Sequence, residues 1–301
     1  PLLRYLETRF DPQLEGDRAE AMEAAEGAVQ QALGSVATLP EDRVLRGLHD
    51  LMSATVRTNY FSGSPVIAFK LASQEVATMP EPRPLYEIGV SGYGVEGTHL
   101  RGGKVARGGI RWSDRPDDFR TEVLGLMKTQ MTKNAVIVPV GSKGGFVVKH
   151  APTGRDALRD YVREQYRAYV GALLGLTDNR VGETVEHPPG MVVHDGDDPY
   201  LVVAADKGTA TFSDVANEVA AEHGFWLGDA FASGGSQGYD HKKEGITARS
   251  TWESVERHFH ELGVDPRTEP ITVAGIGDMS GDVFGNGLLW SRTLRLRAAF
   301  N

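Results

Sequence analysis

Two lysines bracket an apolar run in KNAVIVPVGSKGG: Lys133 at its head and Lys143 in a glycine-rich turn at its foot. A lysine is costly to hold at the edge of an apolar strand. Flanking glycines let backbone and ligand approach closely, so the arrangement reads as one that presents an ammonium group to a small anionic molecule. The competing reading is a solvated lysine in an ordinary turn. Asp206 closes a second apolar run, YLVVAADKG, which sets its carboxylate at the carboxyl end of a parallel strand, the edge at which open α/β sheets bind ligands. Alone, Asp206 reads as an Asx turn. Paired with Lys143 in one cleft, it becomes one of two opposite charges that tune each other for acid–base work.

A third constellation lies near the far end. Gly275, Gly277 and Gly281 form G-x-G-x-x-x-G after the apolar run ITVAGIG and before a helical pattern. Such a turn brings a pyrophosphate against backbone N–H groups at a helix N-terminus, where the dipole favours negative charge. The usual spacing is one residue shorter, and Ser280 occupies that position, so a purely structural strand-to-helix turn stays open. Where a ribose-binding acid is expected, the residue is Asn301. An amide bonds a hydroxyl but repels a 2′-phosphate less than an acid does, which leaves NAD and NADP both open at this position.

Two further clusters read as structural. His187, His194, Asp195, Asp197 and Asp198 share one loop, but their spacing fits no standard metal motif and DGDDP is turn chemistry, so no metal is expected. The run Arg101, Lys104, Arg107, Arg111 lacks interleaved aromatics and sits on an acidic chain. Binding of a small dicarboxylate, or plain solvation, fits it better than nucleic acid.

The elements that must position these groups follow from bulk composition and periodicity. The chain has 301 residues, 40% hydrophobic and 24% charged, enough for two cores, and its net charge of -9 has the wrong sign for steering towards phosphate backbones. With no cysteine, disulfides, thiolate zinc sites and cysteine nucleophiles are excluded, which fits a reducing cytoplasm. No run reaches the roughly 20 apolar residues of a membrane span, and PLLRYLETRF lacks a signal-peptide layout, so neither membrane nor secretion is expected. A start at Pro1 and a stop at LRLRAAFN read as the ends of a piece of something longer.

Residues 1–60 read as a helical N-terminal segment, with helices over 18–33 and along Val44, Leu45, Leu48, Leu51, Met52 and Val56. Strands are expected at 65–71, 85–91, 135–139, 146–149 and 200–205, and helices from Asp117, over about 154–174 and after Ser213. This alternation gives an α/β fold with a mainly parallel sheet. The glycine-rich loop 228–246 separates a substrate-binding domain, 61–245, from the truncated start of a Rossmann domain, 246–301, built from a helix at about 250–262 and one βαβ unit.

At the level of whole blocks, VEGTHLRGGKVARGGIRWSDRPDDFRTEVLGLMKTQMTKNAVIVPVGSKGG, VVAADKGTATFSDVAN and GIGDMSGDVFGNGLL together resemble the large, NAD-dependent class of bacterial glutamate dehydrogenases, over nearly the whole chain from Arg57. The chain is thus similar to a fragment of that family's catalytic region. The resemblance places Arg107, in RGGIRW, where a family lysine binds the substrate side-chain carboxylate, and arginine keeps that charge with a two-pronged grip. It implies that Gln130 and Lys133 hold the α-carboxylate, that Lys143 is the catalytic lysine and that Asp206 is the proton-transfer carboxylate. Thr247 resembles the threonine near the nicotinamide amide. The implied cofactor is NAD, held by Thr247, Gly275, Gly277, Asp278, Met279, Ser280, Gly281 and Asn301.

The activity so implied is oxidative deamination of L-glutamate to 2-oxoglutarate and ammonium, in a cytoplasmic homo-oligomer. Two alternatives are a Schiff-base enzyme using Lys143 as nucleophile and a non-catalytic binding or regulatory fragment. The second rests on a nucleotide domain of two strands, too small to hold a dinucleotide firmly.

Overall fold

The computed structural model describes all residues except 134–139, 239, 240, 278, 280 and 301, and leaves out the side chains of 132, 133, 241 and 242. The chain divides into two compact units, Pro1–Gly235 and Ser236–Asn301. The division falls earlier than the 245/246 boundary expected from the glycine-rich loop.

The first unit opens with three helices, α1 (Leu2–Phe10), α2 (Arg18–Leu33) and α3 (Leu39–Ala54). Asp17 caps α2 through Ala19 N, and Thr38 caps α3 through Glu41 N. Tyr5, Ala25, Val29 and Leu33 form their shared core. The apolar spacing expected to carry the third helix to Val56 stops short. Thr55–Thr58 is instead strand β1, because β-branched Thr55, Val56 and Thr58 suit the edge of a sheet and all four residues are buried there.

Strands β2 (Val66–Ala72), β3 (Tyr86–Gly92), β4 (Val95–Arg101), β5 (Ala106–Trp112), β6 (Val140–Val148) and β9 (Val203–Ala205) join β1 in one seven-stranded sheet, ordered β1-β2-β3-β4-β6-β5-β9. The parallel pairing expected from strand–helix alternation holds at β5–β6 and β5–β9. There, helix α4 (Phe119–Lys133) and the long path to β9 supply crossovers. From β1 to β4 consecutive strands pair antiparallel, and β6 also runs antiparallel to β4, with β5 and α4 between them in the chain.

Helices α5 (Arg155–Leu174) and α6 (Ser213–Glu222) cover one face of the sheet, with Ile88, Val90, Ile110, Phe146, Tyr166, Tyr169, Leu173 and Val219 in the main core. Phe146 stacks on Tyr169 at 5.6 Å. Helix α4 covers the other face through Val123, Leu124 and Met127, packed with Leu100. A small hairpin, β7 (Asn179–Val181) and β8 (Thr184–Glu186), follows α5.

The expected strand 135–139 lies outside the described residues. Lys143, read from sequence as part of a glycine-rich turn, is in the middle of β6. The glycines around it do not bend the chain. They let neighbours come close: a Cβ on Gly145 meets Val123 at 2.4 Å, and one on Gly141 meets the Gln130 backbone at 2.4 Å.

The second unit holds α7 (His241–Glu244), α8 (Ile246–Glu261) and the parallel pair β10 (Ile271–Ile276) and β11 (Leu294–Phe300). Between these strands, where a regular helix is expected, Asp282–Asn286 forms one wide π-helical turn. Gly285 and Gly287 within and after it weaken α-helical propensity.

Candidate active site

Residues directly opposed on neighbouring strands share a face, as do residues two apart on one strand. Leu100 opposes Lys143, and Arg107 opposes Gly141 two residues before it, so Arg107, Gly109 and Arg111 of β5 project on the α4 side together with Lys143. Gln130 of α4 lies directly over Gly141, level with Arg107 on the neighbouring strand and two residues before Lys143. Those two positions are separated along the strands by about 7 Å, the rise of two residues. Asp206 follows β9 on the other side of β5, at the carboxyl end of a parallel strand as expected from sequence. A Cβ on Gly109 would lie 2.9 Å from Ala205 O and 3.2 Å from Asp206 Cβ, so this glycine lets β9 approach and keeps the floor beneath Asp206 open.

Lys143 Nζ forms an ion pair with Asp206 Oδ2 across β5. The lysine side chain is 5% exposed and the aspartate 19%. Arg111 binds the same carboxylate, Nε to Oδ2 at 3.1 Å and the terminal nitrogen to Oδ1 at 3.4 Å. The other arm of Arg111 reaches Glu122 Oε1 on α4 at 2.8 Å, and Ser113 Oγ donates to Glu122 Oε2 at 2.6 Å. The main chain of Asp206 is fixed as well. Its N–H donates to Thr209 Oγ1 at 3.0 Å, and that hydroxyl donates to Ile110 O at 2.7 Å. Burial pushes the Asp206 carboxyl up, but hydrogen bonds from Arg111 and Lys143 outweigh it and hold the group at about 2.

Lys133 ends α4, with its side chain outside the described residues. Sequence reasoning missed Arg111 as a partner of Asp206, and it missed Glu122 and Ser113. Strand alternation from Arg107 already carried the signal for Arg111, four residues on and hence on the same face.

The opposite face of the sheet, at β1, β2 and β4, holds a second charged cluster. Arg57, 0% exposed, donates to both Asp178 oxygens at 2.5 and 3.0 Å and to Asp195 at 2.6 Å. Lys70 Nζ bridges Asp195 and Asp198 at 2.5 and 2.6 Å, and Arg101 binds Asp198 and donates to Tyr200 O at 2.8 Å. Asp195 and Asp198 are thus buried counter-ions rather than solvated turn residues, and Arg101 is neither solvated nor on the substrate side. The one-residue alternation that separates Arg101 from Arg107's face is invisible in a charge run. Asp178, His187 and Asp197 bring potential ligand atoms within 4.8 Å of one another, but both Asp178 oxygens already accept from Arg57. This cluster clamps the loop over 178–198 to β1, β2 and β4.

In the second unit, Gly275 lies under Phe284, whose ring a Cβ would strike at 1.9 Å. Gly277 adopts φ 139°, and a Cβ there meets nothing within 4 Å, so the turn leaves open space at the end of β10. Gly281 precedes the π-helical turn in extended conformation, and Met279 is exposed beside it. Asp278, Ser280 and Asn301 lie outside the described residues. Thr247 sits in the first turn of α8, where its N–H donates to Asp282 Oδ2 at 2.9 Å. Asp282 also bonds Ala248 N and Asn286 Nδ2, tying α8 to the glycine turn, a role that sequence reading did not assign.

The family described as "Bacterial NAD-glutamate dehydrogenase, catalytic domain" matches residues 28–301. The chain is 54% identical over 313 residues to a protein of Halomonas elongata and 56% identical over 317 residues to one of Mycobacterium tuberculosis, each named NAD-specific glutamate dehydrogenase. Both comparisons cover the whole of this chain but only 19% and 20% of the relatives, so the chain spans about a fifth of the length of the curated relatives it matches. Among solved structures, glutamate dehydrogenase from Peptoniphilus asaccharolyticus is similar with a TM-score of 0.44 and 15% identity, over 96% of this chain and 56% of that one. The chain belongs to the bacterial NAD-glutamate dehydrogenase catalytic-domain family.

Proposed function

We propose that this chain forms the substrate-binding and proton-transfer part of an enzyme that oxidises L-glutamate to 2-oxoglutarate and ammonium. The observation that carries the reading is the contact of Lys143 with Asp206, two groups 63 positions apart in the numbering, beside further cationic groups on one sheet face. Arg107 takes the substrate side-chain carboxylate, and Gln130 with Lys133 takes the α-carboxylate. Two anchors on a small dicarboxylate fix Cα in one orientation, which converts binding into rate.

NAD, when bound, accepts the hydride from Cα; the open turn at Gly277, with Gly275, Met279, Gly281 and Thr247 in the same unit, suits its pyrophosphate end. Asp278, Ser280 and Asn301 complete the proposed set. Asp206 takes the amino proton as the carbon–nitrogen double bond forms. Lys143 then deprotonates a water that adds to the imine carbon, and Asp206 returns its proton to the nitrogen of the carbinolamine. The C–N bond breaks as the hydroxyl becomes the carbonyl, its proton leaving with the nitrogen as ammonium. A cytoplasmic homo-oligomer, without nucleic-acid or membrane partners, completes the reading. Among the described residues no helix is long and apolar enough to cross a membrane.

In the full-length enzyme, Lys143→Ala should abolish NADH formation from glutamate, by about a thousandfold or more in kcat. Glutamate binding should remain measurable by calorimetry. Turnover retained in that variant refutes the role of Lys143.

A further inference from the structure

Asp206 is shared. A carboxylate held by Lys143 alone would bind the ammonium strongly and oppose its deprotonation. Here a guanidinium competes for the same oxygen: Arg111 Nε lies 3.1 Å from Asp206 Oδ2, the atom Lys143 also contacts. The guanidinium cannot swing away, because Glu122 Oε1 holds its other arm at 2.8 Å and Ser113 Oγ fixes Glu122 at 2.6 Å. All four side chains are largely buried, with Arg111 at 20%, Glu122 at 11%, Asp206 at 19% and Lys143 at 5% exposure, so the charges are weakly screened.

We infer that Arg111, clamped by Glu122, is the positioning residue that divides the Asp206 carboxylate between two cations and thereby sets when Lys143 can give up its proton. This rests on the proposed roles of Lys143 and Asp206. Other charged groups around the pair come from the elements packed on it. Arg107 shares the β5 face, Lys128 of α4 is exposed, the Lys133 side chain is not described, and Lys207 pairs outward with Asp114 at 3.1 Å. The Lys207 backbone also hydrogen-bonds the Asp206 carboxylate, and lysine at position 111 could not reproduce a two-sided fork.

The test is the pH dependence of kcat/KM for glutamate in the full-length enzyme, for wild type, Arg111→Met, Arg111→Lys and Asp206→Asn. Losing Arg111 removes a repelling cation from Lys143 and a competitor for Asp206. The limb along which activity rises with pH should therefore move to higher pH by about one unit or more in Arg111→Met, with kcat at neutral pH down at least about tenfold. Glutamate KM should stay within a few-fold, since Arg107 and Gln130 are untouched. Arg111→Lys should fall between, and it decides the matter if Arg111→Met does not fold. A uniform loss of kcat with the limb unmoved would falsify the assignment of Arg111 while leaving the proposed function standing, provided Asp206→Asn is inactive. Full turnover in Asp206→Asn would instead remove the reading on which the inference depends.

Discussion

His99 of β4 opposes Gly144 of β6, under the face packed by α5, and is 1% exposed. Neither ring nitrogen has a hydrogen-bond partner among the described residues. Burial first, and the nearby Arg101 charge second, hold its pKa down at about 3. The unfolded ring takes up a proton below about 6.5, whereas the folded one does not until about 3. The native state therefore loses stability as pH falls through that window, by up to ~1.4 kcal/mol per pH unit. Asp198 and Asp206, both held at about 2, are also shifted down, and act over a lower pH window. Their contribution is present above the ordinary carboxylate value near 4 and fades only as pH falls towards 2. Urea unfolding of the chain between pH 6.5 and 4.5 should show His99→Gln losing less stability than wild type. Parallel pH curves for the two proteins would count against a neutral buried imidazole.

At the scale of elements, the site depends on β5 and β6 lying unusually close. A Cβ on Gly108 would sit 1.6 Å from Ser142 O, a backbone atom that cannot rotate aside. Alanine there must push β5 off β6, moving Arg107 and Arg111 relative to Lys143. Gly89 of β3 has nothing within 4 Å of its virtual Cβ. Gly108→Ala should cost about 3 kcal/mol or more in denaturant unfolding. Gly89→Ala should change stability by less than about 1 kcal/mol, since an added methyl there meets no atoms and restricts only the unfolded chain. Equal costs for the two substitutions would show that strand spacing does not govern this half of the sheet.

For the whole molecule, the two units differ in how much they can bury. The first closes a seven-stranded sheet between helices and secures it with the Arg57–Lys70–Arg101 ion cluster. The second has a two-stranded parallel sheet, and leaves Ile276, Leu289 and Phe300 at 88%, 84% and 60% exposure. Two strands alone are marginal in water. Brief trypsin treatment under native conditions should therefore cut first around Lys242, Lys243 and Arg249, leaving a resistant product that begins at Pro1. Mass spectrometry identifies it. Cleavage as fast within α5 or the seven-stranded sheet as in residues 236–301 would contradict the difference in local stability.

What the sequence determined by itself was local or carried in short blocks. Helices α2, α5 and α6, strands β2, β3, β10 and β11, and the chemical types at Arg107, Gln130, Lys143 and Asp206 are legible because periodicity and turn chemistry act over a few residues. The blocks around those residues also carried the family resemblance. Tertiary structure alone decided the rest. It made Lys143 a strand residue, since glycine signals close approach as readily as a turn. It turned DGDDP from solvated loop into buried counter-ions, because the cations that claim it, Arg57, Lys70 and Arg101, lie about 100 or more positions away. It also brought Arg111 and Glu122 to Asp206, an encounter fixed by parallel strand order and the α4 crossover, which no window of neighbouring residues encodes.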